Sequence, residues 1–202
     1  QVKILSDLLS TASNKRLVMV YPGTCTIQGF SNQPGYYLSA AIGGMLSLFE
    51  PHRPKNGIAL AGIDTIETSN LGFFSEDQID DLIRAGYFVL VQDTAGAAPY
   101  CVHQVTTAYR NYATTQEFSE LSVVNNFDFV SRTFKNSLTP YVGTWNVTKQ
   151  ALSSVSTTLD STALNLKSKA VDTIGAPLIS MSVSTLRVSP TDAGSLEVSN
   201  KL

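Results

Sequence analysis

The sequence predicts an α/β fold over its first hundred residues and an α+β arrangement after that. The expected architecture is a sheet with packed helices, followed by two helices and extended C-terminal strands. Three observations carry this prediction. Short apolar runs alternate with helical patterns in the first half. Tyr87-Phe-Val-Leu-Val91 is continuously apolar directly after a helix signal, as strands buried on both faces are. The second half shows two long helical periodicities and then a stretch of strict alternation.

In chain order, residues 17–21 are an apolar run stopped by Pro22-Gly23 and read as a buried strand. Residues 36–49 read as a helix with Ala40, Ala41, Gly43 and Gly44 on one side for close packing, ended by Glu50-Pro51. Pro51 to Gly57 is a loop, and residues 58–63 suggest a short strand. Ser75-Glu-Asp-Gln78 has the form of a capping box, and Gly86 that of a helix stop. Residues 87–91 and 101–107 are expected to pair as a β-hairpin across the turn at Gly96 to Pro99.

Val123, Phe127, Val130, Phe134 and Leu138 recur at helical spacing, giving an amphipathic helix over 122–138. Asn146 is the expected cap of a second helix with the stripe Leu152, Val155, Leu159, Ala163 and Leu166. That helix is rich in Ser and Thr, so it depends on packing. Residues 178–188 alternate, with Ile179, Met181, Val183 and Thr185 set against Ser180, Ser182 and Ser184. Pro190 to Gly194 is a turn, and Ser195 begins another strand.

Composition narrows the function classes. The chain has 202 residues, 43% hydrophobic and only 15% charged, with 14 Lys+Arg against 16 Asp+Glu. That balance excludes a polybasic nucleic-acid binder, and the hydrophobicity excludes a disordered tail. The sparse charge points to a surface that meets protein. No stretch is long and apolar enough for a membrane span, and no signal-peptide pattern is present. The chain opens on Gln1, as expected of a fragment or a processed product.

Chemistry is thinly represented. Cys25 and Cys101 lie in no metal-binding spacing, and no structural zinc, other metal or cofactor is expected. Cys25 with His52 or His103 is the one Cys–His pairing available to a hydrolase, and a Ser nucleophile is the other option. Core thiols beside unrelated imidazoles are the simpler reading, and no GxSxG or phosphate-loop motif occurs. Glu76, Asp77, Asp80 and Asp81 read as a solvated helix face, with a metal site as the alternative. Asn146-Val-Thr148 matches a glycosylation sequon by chance, and Lys167 and Lys169 are an exposed helix end.

Four stretches then carry a resemblance. They are Pro34-Gly-Tyr-Tyr-Leu-Ser-Ala-Ala-Ile-Gly-Gly-Met-Leu-Ser47, Leu82-Ile-Arg-Ala-Gly-Tyr-Phe-Val-Leu-Val91 and His103-Gln-Val-Thr-Thr107. The fourth is Leu121-Ser-Val-Val-Asn-Asn-Phe-Asp-Phe-Val-Ser-Arg132 leading into Tyr141-Val-Gly-Thr-Trp-Asn-Val-Thr148. In this order they resemble the tail sheath proteins of contractile phages and related injection machines. The resemblance implies a non-catalytic subtilisin-like α/β segment over 1–100 and a C-terminal sheath domain over 101–202. It implies self-assembly into a helical sheath around a tail tube protein, contact with baseplate and tail terminator, and no nucleic-acid contact or membrane insertion. The implied location is the virion tail, with the host cytoplasm during assembly. The family usually has an N-terminal arm, outer domains and a further apolar-rich final strand, and the resemblance is expected to lack them over residues 1–202.

The strands after Pro177 are the expected strand-donating arm between subunits, since free strand edges seek partners. Its residues are Leu178, Ile179, Met181, Val183, Thr185, Leu186, Val188, Leu196 and Val198.

Overall fold

A computed structural model describes residues 12–66, 75–94, 96–143, 148–169, 176–178, 182–188 and 196–201. The chain divides into two compact units, residues 1–125 and 126–202.

In the first unit, β1 (Met19–Tyr21) leads through β2 (Thr24–Ile27) and β3 (Phe30–Pro34) into α1 (Tyr36–Leu48). After β4 (Thr65–Ile66) come α2 (Glu76–Arg84), β5 (Tyr87–Val91) and β6 (Tyr100–Cys101). Two single-turn helices, α3 (Tyr109–Tyr112) and α4 (Gln116–Ser119), precede α5 (Leu121–Leu138).

β5 is the centre of this unit. It pairs in parallel with β1, Val20 opposite Phe88, and antiparallel with β6, Leu90 opposite Cys101. Successive strand residues face opposite sides of a sheet. Phe88 and Leu90 accordingly enter a core with Leu38, Ile42 and Met45 of α1. Tyr87 and Val89 enter another with Leu82 and Ile83 of α2. The two helices therefore cover opposite faces of one sheet, which is why residues 87–91 show no polar alternation.

Local chemistry sets the ends of these elements. Ser75 and Gln78 form the expected capping box: Gln78 N–H donates to Ser75 Oγ at 3.4 Å and Ser75 N–H to Gln78 Oε1 at 3.1 Å. Gly86 takes φ +92°, and a Cβ there would lie 3.2 Å from the Thr107 backbone.

Several expectations are corrected. Residues 58–63 form no strand, because Gly62 at φ +85° turns the chain and only Ala59 makes a bridge, to Tyr100. The run 101–107 leaves the sheet after Cys101 because its backbone groups are taken by loops. Thr106 N–H donates to Ser119 O and Thr107 N–H to Leu17 O, both at 2.9 Å. The Thr106 hydroxyl donates to Phe118 O at 2.7 Å and the Thr107 hydroxyl to Asn14 O at 2.9 Å. Alternation here reports buried, satisfied threonines rather than a ladder. The β2–β3 hairpin, turning through Gln28 and Gly29 at positive φ, is a feature the pattern did not announce. Ala40, Gly43 and Gly44 face outward, contrary to the expected close packing.

The boundary at Asn125/Asn126 falls inside α5, because residues 101–121 bond back to the first unit. Gly57 N–H donates to Cys101 O at 2.8 Å, and Leu121 N–H to Gln104 O at 3.0 Å. In the second unit, the remainder of α5 is followed by a 3-10 turn (Thr139–Tyr141), α6 (Lys149–Ser168) and the strands β7 (Ser182–Val188) and β8 (Leu196–Lys201). Val130 of α5 packs with Ala163 and Leu166 of α6 and with Leu178. Phe127 is half exposed, off the apolar stripe expected of it.

Thr148 caps α6 by accepting from Ala151 N–H at 3.1 Å, while Asn146 lies outside the described residues. The buried α6 stripe is Ala151, Val155, Leu159, Ala163 and Leu166, with Ala151 in place of the expected Leu152. Its threonines return their hydroxyls to carbonyls one turn back, Thr162 to Thr158 O at 2.7 Å.

Replacing Gly86 by alanine combines a left-handed φ with a backbone clash. We expect G86A to lose about 1–3 kcal/mol of stability, measured by chemical denaturation.

Candidate assembly surface

The side chains that the hydrolase reading invokes are Cys25, Cys101, His52 and His103. Cys25 sits in β2 between Gln33 and Ile66 and is buried in the α1 core. Cys101 is equally buried. Burial holds its thiol far above the ordinary range; the His103 backbone N–H opposes this, and the Glu120 carboxylate adds to it. Both residues are thiols rather than disulfide partners. A nucleophilic cysteine needs access and a stabilised thiolate. Cys25 lacks the first, and Cys101 lacks both.

The histidines do other things. His103 Nε2 lies 2.5 Å from Glu120 Oε1, and its ring meets Tyr109 edge-on. This pair links the end of the β5–β6 hairpin to the residue before α5. Both ring nitrogens of His52 are buried without a hydrogen-bond partner. Glu76, Asp77, Asp80 and Asp81 are all exposed along α2, as a solvated face. Among the described residues, no group of three or more His, Cys, Asp or Glu is placed to hold a metal ion. No described helix is long and apolar enough to cross a membrane.

The loop after α1 buries a cation. Lys55 is fully buried, and its ammonium donates to Glu50 O at 3.0 Å and Arg53 O at 2.7 Å. Desolvation lowers its pKa, Arg53 lowers it further, and Glu50 works against both. Buried Gln104 turns its side-chain carbonyl to the backbone N–H groups of Lys55 and Asn56 and holds the same loop from the other side. The group braces the chain and presents no reactive face.

The C-terminal strands form a different kind of surface. Leu178 belongs to the core of its own unit, and Asn126 donates to Pro177 O at 3.0 Å just before it. Ile179, Met181 and the turn from Pro190 to Gly194 lie outside the described residues. β7 and β8 pair antiparallel: Val183 with Asn200, Thr185 with Ser199, Leu186 with Val198, Arg187 with Glu197 and Val188 with Leu196.

The register shifts by one residue between Val183 and Thr185, so Ser184 is an extra residue. This corrects the expected uninterrupted alternation. By register, positions 183, 186 and 188 lie opposite 200, 198 and 196, and positions 182, 185 and 187 opposite 201, 199 and 197.

The layered first unit, the helical second unit and the terminal hairpin together define a tail-sheath-like fold. No family model matches the sequence, and no curated protein matches it. Among solved structures, a chain of the six-fold symmetrised anti-feeding prophage baseplate matches with TM-score 0.66. It covers 94% of this chain and 51% of that one at 14% identity. The sheath tail protein of Desulfitobacterium hafniense matches with TM-score 0.66, covering 94% of this chain and 46% of its own at 10% identity. That of Listeria innocua matches with TM-score 0.63, covering 99% and 51% at 12% identity. The chain spans about half the length of these structures.

Two measurements check the chemistry. Both thiols should react with an aromatic disulfide reagent about 100-fold more slowly in the native protein than after unfolding. The lowered Lys55 pKa means that the unfolded chain binds its proton more tightly. Stability should therefore rise as pH climbs through the lowered value towards the ordinary 10.5. Tyr21, Tyr87 and Tyr100 have raised values and act in the opposite sense above pH 10. The Lys55 contribution is thus read as a difference: K55M should lack the alkaline rise in denaturation midpoint that the parent shows.

Proposed function

We propose that this chain is a structural subunit of a contractile tail sheath. It polymerises around a tail tube and contracts to drive the tube through a host envelope. The observation that carries the reading is a fold likeness extending over 94% to 99% of the chain to proteins described as sheath tail or baseplate components. The buried thiols fit a non-enzyme and leave the Cys25 hydrolase reading without support. Partners in this reading are copies of the chain, the tail tube protein, the baseplate and the tail terminator. It functions in the virion and assembles in the host cytoplasm. The subtilisin-like segment and the C-terminal sheath domain are carried over as proposals for residues 1–100 and 101–202.

Contraction in this reading is a shift between two packings of the same subunits, driven by the difference in surface that each buries. The β7–β8 hairpin is the strand-donating arm. A two-stranded sheet leaves ladder groups free on both outer edges, and pairing with a neighbour's strand satisfies them. The prophage baseplate neighbour favours a second reading, a sheath-like ring at the baseplate.

Negative-stain microscopy of the purified assembly separates these outcomes. Tubes are expected of a sheath and single rings of a baseplate component. A monomer whose Cys25 reacts rapidly with a mechanism-based probe would overturn both. Truncation after Leu178 retains that residue's core packing. It should leave a folded protein with at least about tenfold less assembly, and undiminished polymerisation refutes the arm.

A further inference from the structure

Residues 17–49 contain no Asp, Glu, Lys, Arg or His. Much of this stretch is nevertheless at the surface. The outward side of α1 carries Ser39, Ala40, Gly43, Gly44 and Ser47. At its first turn stands Tyr36, 63% exposed, and at its last Leu48, 77% exposed. Phe30, on the strand leading into this helix, is 69% exposed.

Two features of this surface have no explanation among the described residues. The first is the pair of glycines. Glycine is a poor helix former, tolerated mid-helix where something packs close. At Gly35 the reason is internal, since a Cβ there would lie 2.8 Å from Gly23 O. At Gly43 and Gly44 a Cβ would meet nothing within 4 Å, and neither takes a positive φ. The second is the absence of charge. An exposed helix face on a free protein ordinarily carries charged side chains, whereas interface centres are depleted of them and enriched in aromatics.

We infer that the outer face of α1 is a contact surface for a second copy of this chain. The inference rests on the sheath reading, in which each copy is surrounded by others. Aromatic and large aliphatic side chains expose roughly 150–250 Å² each when bare. At their observed exposures, Tyr36, Tyr37 and Leu48 together offer on the order of 400 Å². The small residues between them bring the patch towards the ~800 Å² per partner of a standard interface. A lipid or nucleic-acid partner is disfavoured, because the patch contains no Lys or Arg to meet phosphate. The floor of small residues lets a neighbour's backbone approach closely between the Tyr36–Tyr37 and Leu48 ends. In a helical array the contact is heterologous, this face against a different face of the next copy.

The test uses G43L/G44L, with G43A/G44A as the folding control. Assembly is followed by sedimentation velocity and microscopy, and thermal unfolding is measured on dissociated chains. We expect G43A/G44A to raise Tm by about 2–4 °C per glycine replaced. G43L/G44L should remain folded while its assembled fraction falls at least tenfold. A lowered Tm in G43A/G44A would mean that the glycines serve the chain's own fold, and overturns the inference. Equal assembly of G43L/G44L and wild type overturns it while leaving the sheath reading intact. A wild type that stays monomeric at every concentration overturns the sheath reading, and the inference with it.

Discussion

The first unit depends on one strand being buried on both sides. Residues 87–91 supply Phe88 and Leu90 to the α1 core, and Tyr87 and Val89 to the α2 core. A strand in that position has no solvent face on which to place polar residues, and a one-residue slip would exchange the two sets. β1 and β6 both pair with it. Both cores therefore share one register.

Around that strand, single polar side chains bind loops that have no regular structure of their own. Gln92 accepts from Ile66 N–H at 3.2 Å and donates to Asp64 O at 3.0 Å and Ala97 O at 2.6 Å, tying β4 to the end of β5. Thr106 and Thr107 do the same for the segments at Phe118 and Asn14. Each such group is buried, and removing one partner leaves another polar atom unsatisfied, so these contacts act together rather than as separate increments. The consequence is a first unit whose loops are held to its central sheet.

Elements set by local rules were the legible part of the sequence. The capping box at Ser75, the stop at Gly86, both long helices and the buried run 87–91 follow from spacing and residue type. What escaped was set by tertiary context. The alternation of 101–107 came from threonines bonding to loops, and the apolar run 58–63 from burial without pairing. Gly43 and Gly44 were visible as small residues, but the side of the helix they occupy depends on Leu38, Ile42 and Met45 having a core to enter. The stretch without charge over 17–49 was the available signal for that outward face. It needed the exposure of Tyr36 and Leu48 to acquire meaning.

The extra residue Ser184 has a mechanical consequence. A plain hairpin can creep along a neighbouring strand in two-residue steps, because each step restores the same faces to the same sides. An inserted residue destroys that translational equivalence: only one alignment brings both halves of β7 into phase with a partner. In the proposed strand-donating arm, the bulge would act as a detent. Subunits joined through such strands would rotate and tilt at their links while the length of every link stayed fixed.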